Sequence, residues 1–501
     1  MKRIIFSVLV CLSVGLGYSQ TEGSVFTSTG RGVATTFVTD YQALGINPAN
    51  LAWTKEFRGK RVALGFLETG FSLSSPILNS PILNDSKTIP FNFGFNSEAN
   101  FSDFQEFSSD LQEGLRINAD VRIFGLAITT KIAGFGFSVN ERYSMNVQTS
   151  KGFADIASFG FGSPYFDTLV YNQGGTVQKT LNTPAAYDSL RSDTSVQLIA
   201  GIAGNPKTIP ELMEGTQIKV SWIREFNFGF GTQVFKNKKF GLYAGLGVKY
   251  LQGMALLDIE AKNNDFNGFM SYSPSLEGGS GNPGLFSTGN IQYKLPKAAG
   301  SGFGFDLGVN VKAFKRLKIG VAVNDIGSIT WSENTFSAQA DSILSTFRVK
   351  GFYADSGSLQ SNSGGATFDS ILNNLVDVRA GNFSRKVNLP STFRFGASIQ
   401  FGKILELGAE VVTPLNDKPG NLISSVYSFG GDLKFGPVIL SSGVVLQNRE
   451  VLRVPVGIVF STFGGLYEIG FSTRDIQSLI NLQSQENPMI SAAFGFLRFR
   501  I

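Results

Sequence analysis

The chain has 501 residues, with 43 Lys and Arg against 38 Asp and Glu, a formal net charge of +5 and no histidine. Its single cysteine, Cys11, lies in an apolar run near the N-terminus. Without that run the chain has neither Cys nor His, which excludes disulfides, thiolate chemistry, Ser-His triads and imidazole metal sites. A content of 58 Gly and 46 Phe with only 16% charged residues is unusual for soluble domains.

The first twenty residues predict export. Two basic residues, Lys2 and Arg3, precede an apolar run over residues 4–16, and small residues follow it. The run is shorter than the roughly 20 apolar residues that a transmembrane helix needs. We therefore predict a signal peptide over residues 1–20.

The remaining sequence predicts a membrane β-barrel. After the signal no stretch of about 18 apolar residues appears, so no transmembrane helix is expected. A closed barrel is the other structure that satisfies all backbone hydrogen bonds in lipid. Large apolar residues alternate with small or polar ones over residues 135–148, 242–250 and 303–311, which places Phe and Leu toward lipid and the others toward the lumen. Glu141 breaks this pattern, and we expect it near a lipid headgroup or beside a β-bulge.

We predict an all-β fold, a single-chain antiparallel transmembrane barrel of about 14 strands, with a range of about 12–16. The candidate strands are residues 60–74, 120–131, 133–148, 217–235, 239–261, 300–313, 316–331, 390–401, 403–413, 424–434, 437–447, 451–461, 465–473 and 488–501.

The links between these strands alternate in length. Tight turns alternate with long links over residues 75–119, 149–216, 262–299 and 332–389. Because outer-membrane barrels have short periplasmic turns and long outside loops, this pattern predicts an outer-membrane location with both termini in the periplasm. The predicted organisation is a signal peptide over 1–20, an N-terminal segment over 21–55 and a barrel over 56–501.

The tight turns are rich in basic residues. These are Lys131, Lys236, Lys238, Lys239, Lys315, Arg316, Lys318 and Lys403. We favour solvated turn charges over a docking surface, and the net charge requires no nucleic-acid partner.

The last strand carries a candidate assembly signal. Leu497, Phe499 and Ile501 alternate on the lipid-facing parity, which resembles the C-terminal signal read by the barrel-assembly machinery. That signal usually ends in Phe or Trp, so Ile501 departs from it. Phe494 and Phe496 have the opposite parity. Outer-membrane lipid and the assembly machinery are the expected partners.

The opposite parity of the barrel strands places charged side chains in the lumen. The candidates are Arg142, Lys249, Asp306, Arg394, Glu406 and Glu410. Arg394 and Glu410 flank the tight turn at Gly402, so we predict an ion pair between them. We favour structural pairing over ligand binding for this set. Glu406 and Glu410 would lie roughly 13 Å apart along a strand, too far apart for a paired-carboxylate hydrolase. We predict no enzyme activity and no cofactor.

The long loops contain apolar residues and candidate modification sites. Phe104, Phe107, Leu111 and Leu115 recur at helical spacing. They would form either a collecting groove or a packed cover over the barrel mouth, and we favour packing. Four tripeptides in these loops resemble the O-glycosylation sequons of Bacteroidota proteins, and they are either modification sites or chance occurrences. They are Asp167-Thr168-Leu169, Asp188-Ser189-Leu190, Asp341-Ser342-Ile343 and Asp369-Ser370-Ile371.

Three short strings carry a family resemblance. They are Asn47-Pro48-Ala49-Asn50-Leu51-Ala52, Val323-Asn324-Asp325-Ile326-Gly327 and Thr473-Arg474-Asp475-Ile476. The first resembles the N-terminal hatch of the FadL-like fatty-acid transporter superfamily, to which PorV-type barrels are also similar. Together the strings resemble an uncharacterised family of Bacteroidota outer-membrane barrels related to FadL and PorV.

That resemblance implies a barrel whose residues 21–55 fold inward as a hatch containing Asn47, Pro48, Ala49 and Asn50. Pro48 fixes its own φ, and asparagine side chains bond nearby backbone groups, which suits a compact plug. The alternative is a turn that leads into the first strand.

Two functions follow as hypotheses. The first is FadL-like passive transport of a hydrophobic or amphipathic small molecule. The second is a PorV-like accessory barrel that docks onto a secretion or surface-assembly complex. An open lumen or a lateral gap would favour transport, whereas a filled lumen with a large apolar outside patch would favour the accessory role.

Overall fold

The computed structural model describes residues 25–53, 61–80, 82, 99–276, 297–314, 316–339, 349, 351–353, 379–381, 383–418, 420–447, 451–481 and 487–501. The predicted signal peptide over 1–20, with Cys11, lies outside the described residues. So do Lys315 and the tripeptides that begin at Asp341 and Asp369.

The described residues contain 23 strands. In chain order they are β1 Val62–Ser74, β2 Leu115–Thr129, β3 Ala133–Gln148, β4 Thr168–Gln173, β5 Thr176–Leu181, β6 Val196–Ile202, β7 Gln217–Lys236, β8 Phe240–Lys262, β9 Asp265–Tyr272, β10 Gly300–Ala313, β11 Leu317–Trp331, β12 Thr335–Gln339, β13 Gly351–Tyr353, β14 Arg379–Gly381, β15 Arg385–Asn388, β16 Thr392–Phe401, β17 Leu405–Pro414, β18 Val426–Phe435, β19 Val438–Gln447, β20 Val451–Arg453, β21 Val456–Thr462, β22 Tyr467–Thr473 and β23 Met489–Arg500.

The helices of the described residues are short. The α-helices are Phe26–Thr29, Phe101–Glu113, Lys151–Phe159, Pro184–Ser192, Ile209–Met213 and Ile476–Ile480. The 3₁₀ turns are Asp40–Ala43, Pro48–Ala52, Pro76–Asn79, Gly160–Gly162 and Pro274–Leu276. Over the described ranges, none of these helices has the length and apolar character to cross a membrane.

Fourteen strands form a closed antiparallel barrel. Each pairs with its neighbour in the ring β1-β2-β3-β7-β8-β10-β11-β16-β17-β18-β19-β21-β22-β23. The ring closes between the first and last strands, where Leu64 lies opposite Phe499. The predicted 14-stranded barrel is confirmed. Strands β9, β12, β14, β15 and β20 extend the same sheet at the end where the long loops lie.

The outer wall exposes an apolar band. Phe135, Phe228 and Phe303 are 51%, 54% and 59% exposed, whereas the alternate residues Ser138 and Asn227 are buried. A band of exposed large apolar side chains around a closed barrel is the surface that faces hydrocarbon. The fold is therefore a transmembrane β-barrel, with the predicted parity.

Most predicted strand ends lie within two residues of the observed ones, and two strands differ from the prediction further. Strand β2 begins at Leu115, so residues 115–119 belong to the barrel and not to the loop. The preceding helix ends at Glu113, and the next residue, Gly114, has a φ of 100°, so the helical conformation does not continue to Leu115. The predicted strand over 451–461 is interrupted before Val456, because Pro455 has no backbone N–H for the ladder.

A single parity does not describe the last strand. Phe496 and Leu497 are consecutive, yet they are 51% and 41% exposed. The pairing of β22 with β23 shifts register in this stretch, between Glu468 and Gly470. This bulge resets the alternation, so Phe494 and Phe499 both belong to the outer face despite their opposite parities.

Glu141 lies on the outer wall in a shielded ion pair. Arg224 Nε donates to its carboxylate, and Trp222 Nε1 donates to Glu141 Oε2 at 2.6 Å. The residue pairs with Val121 on β2, next to the bulge at residues 122–124. The expectation that Glu141 lies beside a bulge is confirmed.

The long-loop end is covered by packed elements. Strands β5, β4, β6 and β13 form a separate four-stranded sheet there. Phe104 packs against Phe159 and Tyr187, with ring centroids 5.5 and 6.0 Å apart. Because Phe104 is buried, the structure supports the interpretation that these residues pack together and does not support an open collecting groove.

Candidate functional site

Residues 25–53, hereafter the plug, lie inside the barrel. Glycines of the inner wall allow the plug backbone to approach closely. A Cβ at Gly134 would lie 1.9 Å from Leu51 O, and a Cβ at Gly245 would lie 2.3 Å from Ala49 N. Any larger residue at these two positions would collide with the plug.

The Asn-Pro-Ala-Asn string builds one turn of the plug and ties it to the wall. The Asn47 side chain accepts a hydrogen bond from Ala49 N at 3.1 Å, and its Nδ2 donates to Asn310 Oδ1 at 2.9 Å. Pro48 opens the 3₁₀ turn, where a missing N–H costs nothing. Asn50 Nδ2 donates to two carbonyl groups of the plug, at 2.9 and 2.8 Å.

Buried ion pairs also join the plug to the wall. Arg31 Nη1 donates to both carboxylate oxygens of Asp432 at 2.9 Å. Asp40 accepts from Arg498 and Arg500 of the last strand, at 2.5 and 3.0 Å. Each of these side chains is at least nine-tenths buried. An unpaired charge at this depth would be strongly unfavourable, so the plug and the wall stabilise each other.

The structure places Arg394 and Glu410 inside the barrel, facing the plug. Arg394 Nη1 lies 3.0 Å from Glu410 Oε1, so the predicted ion pair is present. The same carboxylate accepts from Thr35 N at 3.0 Å and from Thr35 Oγ1 at 2.7 Å. The pair therefore also anchors the plug, a contact that the strand pattern does not contain.

Glu406 also faces the lumen, where it binds two lysines. Lys318 Nζ lies 3.0 Å from Glu406 Oε1, and Lys434 Nζ lies 3.2 Å from Oε2. The prediction that Lys318 belongs to the solvated turn rim is wrong. Its side chain is 3% exposed, and Nζ lies 4.9 Å from the centre of the Trp53 ring of the plug.

A cavity of about 130 Å³ lies between the plug and the long-loop end. Leu44, Gly45 and Ile46 of the plug form part of its lining. Its charged lining residues are Glu68, Asp120, Arg122, Arg142, Glu225, Lys249, Asp325 and Arg394. A smaller apolar cavity of about 20 Å³ lies on the other side of a shared wall, which Ser221, Ile223 and Pro390 form.

Ion pairs between buried side chains form a network in the wall of the cavity. Arg142 Nη1 lies 2.7 Å from Glu225 Oε1 and 3.2 Å from Asp325 Oδ2. Lys249 Nζ lies 3.0 Å from Asp306 Oδ1 and also contacts Asp325. The predicted lumen residues Arg142, Lys249 and Asp306 thus meet in one network. Each of the three forms at least one ion pair within this network.

Asp325 is the member that the parity analysis missed. It follows Asn324, and strict alternation would turn one of the two outward, yet both are buried. Asp325 has a φ of 59°, an unusual value for a residue other than glycine. Asn324 Nδ2 donates to Ile46 O of the plug at 3.0 Å. The Val-Asn-Asp-Ile-Gly string was the feature of the sequence that marked this segment. Its Asn324 contacts the plug, and its Asp325 lines the cavity.

The fold and the site together define a transmembrane β-barrel with its own N-terminal segment inside. Within the described ranges, no group of three or more Asp, Glu, His or Cys residues is placed to hold a metal ion.

Comparisons with known proteins give these likenesses. Residues 193–431 match a family described as a family of unknown function, DUF5723. No match is found among the curated proteins. The crystal structure of the Ralstonia pickettii toluene transporter TbuX is 12% identical, with a TM-score of 0.47, covering 96% of this chain and 99% of that one. The Pseudomonas putida toluene transporter TodX is 10% identical, with a TM-score of 0.45 and coverage of 96% and 98%. A Pseudomonas aeruginosa FadL homologue is 12% identical, with a TM-score of 0.40 and coverage of 97% and 99%.

Proposed function

We propose that this chain is an outer-membrane barrel that passes a small amphipathic molecule from its long-loop end to its tight-turn end. The plug must shift for each passage. The observation that carries the proposal is the cavity above the plug, a concave polar site inside the barrel. The long loops face outward and the tight turns face the periplasm, as in other barrels of this kind.

The lining of the cavity favours an amphipathic molecule over a wholly apolar one. Arg142, Glu225 and Asn227 are among its lining residues, and an apolar molecule would remove water from such groups without replacing the hydrogen bonds. The adjoining apolar cavity offers room for a short hydrocarbon part.

The connections of the plug are compatible with movement. Its described residues form helical turns, and their backbone–backbone hydrogen bonds stay within the plug. Side chains and glycine contacts hold it to the wall. A shift of the plug therefore breaks none of the hydrogen bonds between barrel strands.

A reversible lock tests the proposal. A Cβ at Gly396 would lie 3.1 Å from Thr35 Cβ, near the disulfide separation of about 3.5–4.5 Å. The double variant Thr35→Cys with Gly396→Cys adds the needed thiols to a chain whose one natural cysteine is Cys11. Uptake of radiolabelled leucine, octanoate and glucose into proteoliposomes is measured before and after oxidation.

We expect oxidation to abolish uptake and dithiothreitol to restore it. The single variant Thr35→Cys is the control and should respond to neither reagent. Uptake that continues unchanged through a fully oxidised lock, or wild-type uptake no faster than in protein-free liposomes, would contradict transport.

The density of buried bonds around the plug favours a second candidate, a sealed accessory barrel of a secretion or surface-assembly complex. Arg31 with Asp432 and Asp40 with Arg498 form two strong attachments. Native mass spectrometry of protein purified from its own membrane distinguishes the two. A stoichiometric protein partner without a small-molecule adduct would favour the accessory role.

A further inference from the structure

We infer that the cavity binds a zwitterion with a short aliphatic side chain, a molecule of the size of leucine. This inference rests on the proposed transport function and names the class of molecule transported. It comes from two features of the cavity: the long ion pair of Arg142 with Asp120 and the apolar cavity beside it.

Arg142 and Asp120 form the longest of the ion pairs around the cavity. Arg142 Nε lies 3.9 Å from Asp120 Oδ1, whereas its Nη1 contacts to Glu225 and Asp325 are 2.7 and 3.2 Å. Their side chains are 26% and 22% exposed, against 11% or less for the other charged lining residues in ion pairs.

These two side chains offer one positive and one negative group side by side. Both short contacts of Arg142 use Nη1, and a guanidinium carries five N–H donors. A carboxylate of the ligand can therefore bind through Nε and Nη2. An ammonium group of the same ligand would lie against the Asp120 carboxylate.

The apolar cavity lies next to this pair of charges. Leu256, Trp331 and Leu389 line it, and Ser221 and Ile223 line both cavities. Its 20 Å³ is room for one or two methyl-sized groups, since a water-sized probe needs about 10–15 Å³. The head and the side chain of one small molecule would thus be bound together.

Calorimetry on the detergent-solubilised full chain tests each part with a set of matched ligands. Leucine is compared with 4-methylpentanoate, which lacks the ammonium group, with 3-methylbutylamine, which lacks the carboxylate, and with glycine, which lacks the side chain. We expect each of the three to bind at least tenfold more weakly than leucine. Equal binding of leucine and any one of them would overturn the corresponding part of the inference.

The variant Asp120→Asn tests the ammonium site. It keeps the size of the side chain and leaves the pairs of Arg142 with Glu225 and Asp325 in place. We expect the preference for leucine over 4-methylpentanoate to disappear. The matched control is Asp417→Asn, which removes the same charge from a loop side chain that is 87% exposed and should bind as wild type does. An unchanged preference in a folded Asp120→Asn protein would refute this contact.

The locked variant separates this inference from the transport proposal. Its plug is fixed while the cavity remains, so it should bind leucine without passing it. Leucine binding by a wild-type protein that transports nothing would refute transport and leave the ligand class in place. Uptake of octanoate or glucose without leucine binding would refute the ligand class alone.

Discussion

Arg31 of the plug and Asp432 of the barrel wall are 401 residues apart in the chain, and they meet at 2.9 Å with both side chains buried. Ser441 Oγ also donates to Asp432 Oδ1 at 2.8 Å. Because the aspartate belongs to β18 and the arginine precedes every barrel strand, the contact exists only when the barrel encloses the plug.

Removal of one partner of this ion pair should destabilise the protein strongly. Asp432→Asn leaves the Arg31 guanidinium buried without its carboxylate, a loss of about 3–5 kcal/mol by comparison with other buried pairs. Heat-dependent electrophoretic mobility in detergent reports the unfolding temperature. The double variant Arg31→Met with Asp432→Leu should recover much of the loss, and a double variant as unstable as the single one would contradict the assignment.

A larger residue at Gly245 should displace the plug. A Cβ there would lie 2.3 Å from both Ala49 N and Pro48 C, so Gly245→Leu forces the plug backbone away. We expect a higher ion conductance in planar bilayers and a lower unfolding temperature. The control is Ala244→Leu, because the neighbouring residue of the same strand points outward. Equal conductance of the two variants would mean that the plug tolerates the added side chain.

The ion pair of Glu141 and Arg224 should contribute modestly to stability. Glu141→Leu leaves an unpaired arginine on the outer wall, which costs about 2–4 kcal/mol at the bilayer midplane and about 0–1 kcal/mol near an interface. The stacked rings of Tyr143 and Trp222, 5.2 Å apart, indicate the interface. We therefore expect a loss of about 1 kcal/mol in unfolding measurements in lipid. The double variant with Arg224→Leu should restore stability, and a loss near the midplane value would place the pair deeper.

The helix Phe101–Glu113 should weaken as the pH rises. Burial raises the pKa of the Asp110 carboxyl to about 7, and the neighbouring carboxylates of Glu106 and Glu113 add to the increase. The folded state therefore holds this proton more tightly than the unfolded state does. Its stabilising effect is complete below the ordinary aspartate pKa of about 4 and is lost as the pH rises to about 7.

Hydrogen exchange measured at pH 5.5 and pH 8, and corrected for intrinsic rates, tests this expectation. Protection of the helix should be lower at pH 8, and Asp110→Asn should remove most of the difference. Peptides from β3 provide the internal control. A helix equally protected at both pH values in the wild-type protein would show that Asp110 does not control it.

The barrel itself could be predicted because a membrane strand leaves a local signal. Phe135 and Phe303 alternate with small or polar residues every second position, and lipid on one side imposes that period on each strand separately. The lumen positions of Arg142, Lys249 and Glu410 follow from the same period. A single period does not extend over the whole of the last strand, because a bulge lies beside Phe496.

Contacts among distant segments left no such signal. Asn324 and Asp325 are adjacent, so strict alternation would turn one of the two side chains outward. A local break in the strand pattern turns both inward, where Asn324 contacts Ile46 and Asp325 contacts Lys249. From the sequence, Gly134 and Gly245 are only small residues of the lumen face. The structure shows that the plug backbone packs directly against both.

The sequence by itself determined the closed barrel, the face of each regular strand and the alternation of loop lengths, because these depend on residues close together in the chain. Only the tertiary structure decided how the plug contacts the wall, which charges pair between segments distant in the chain and where a cavity remains. Those features depend on close packing between segments hundreds of residues apart, and closure of the barrel brings these segments together.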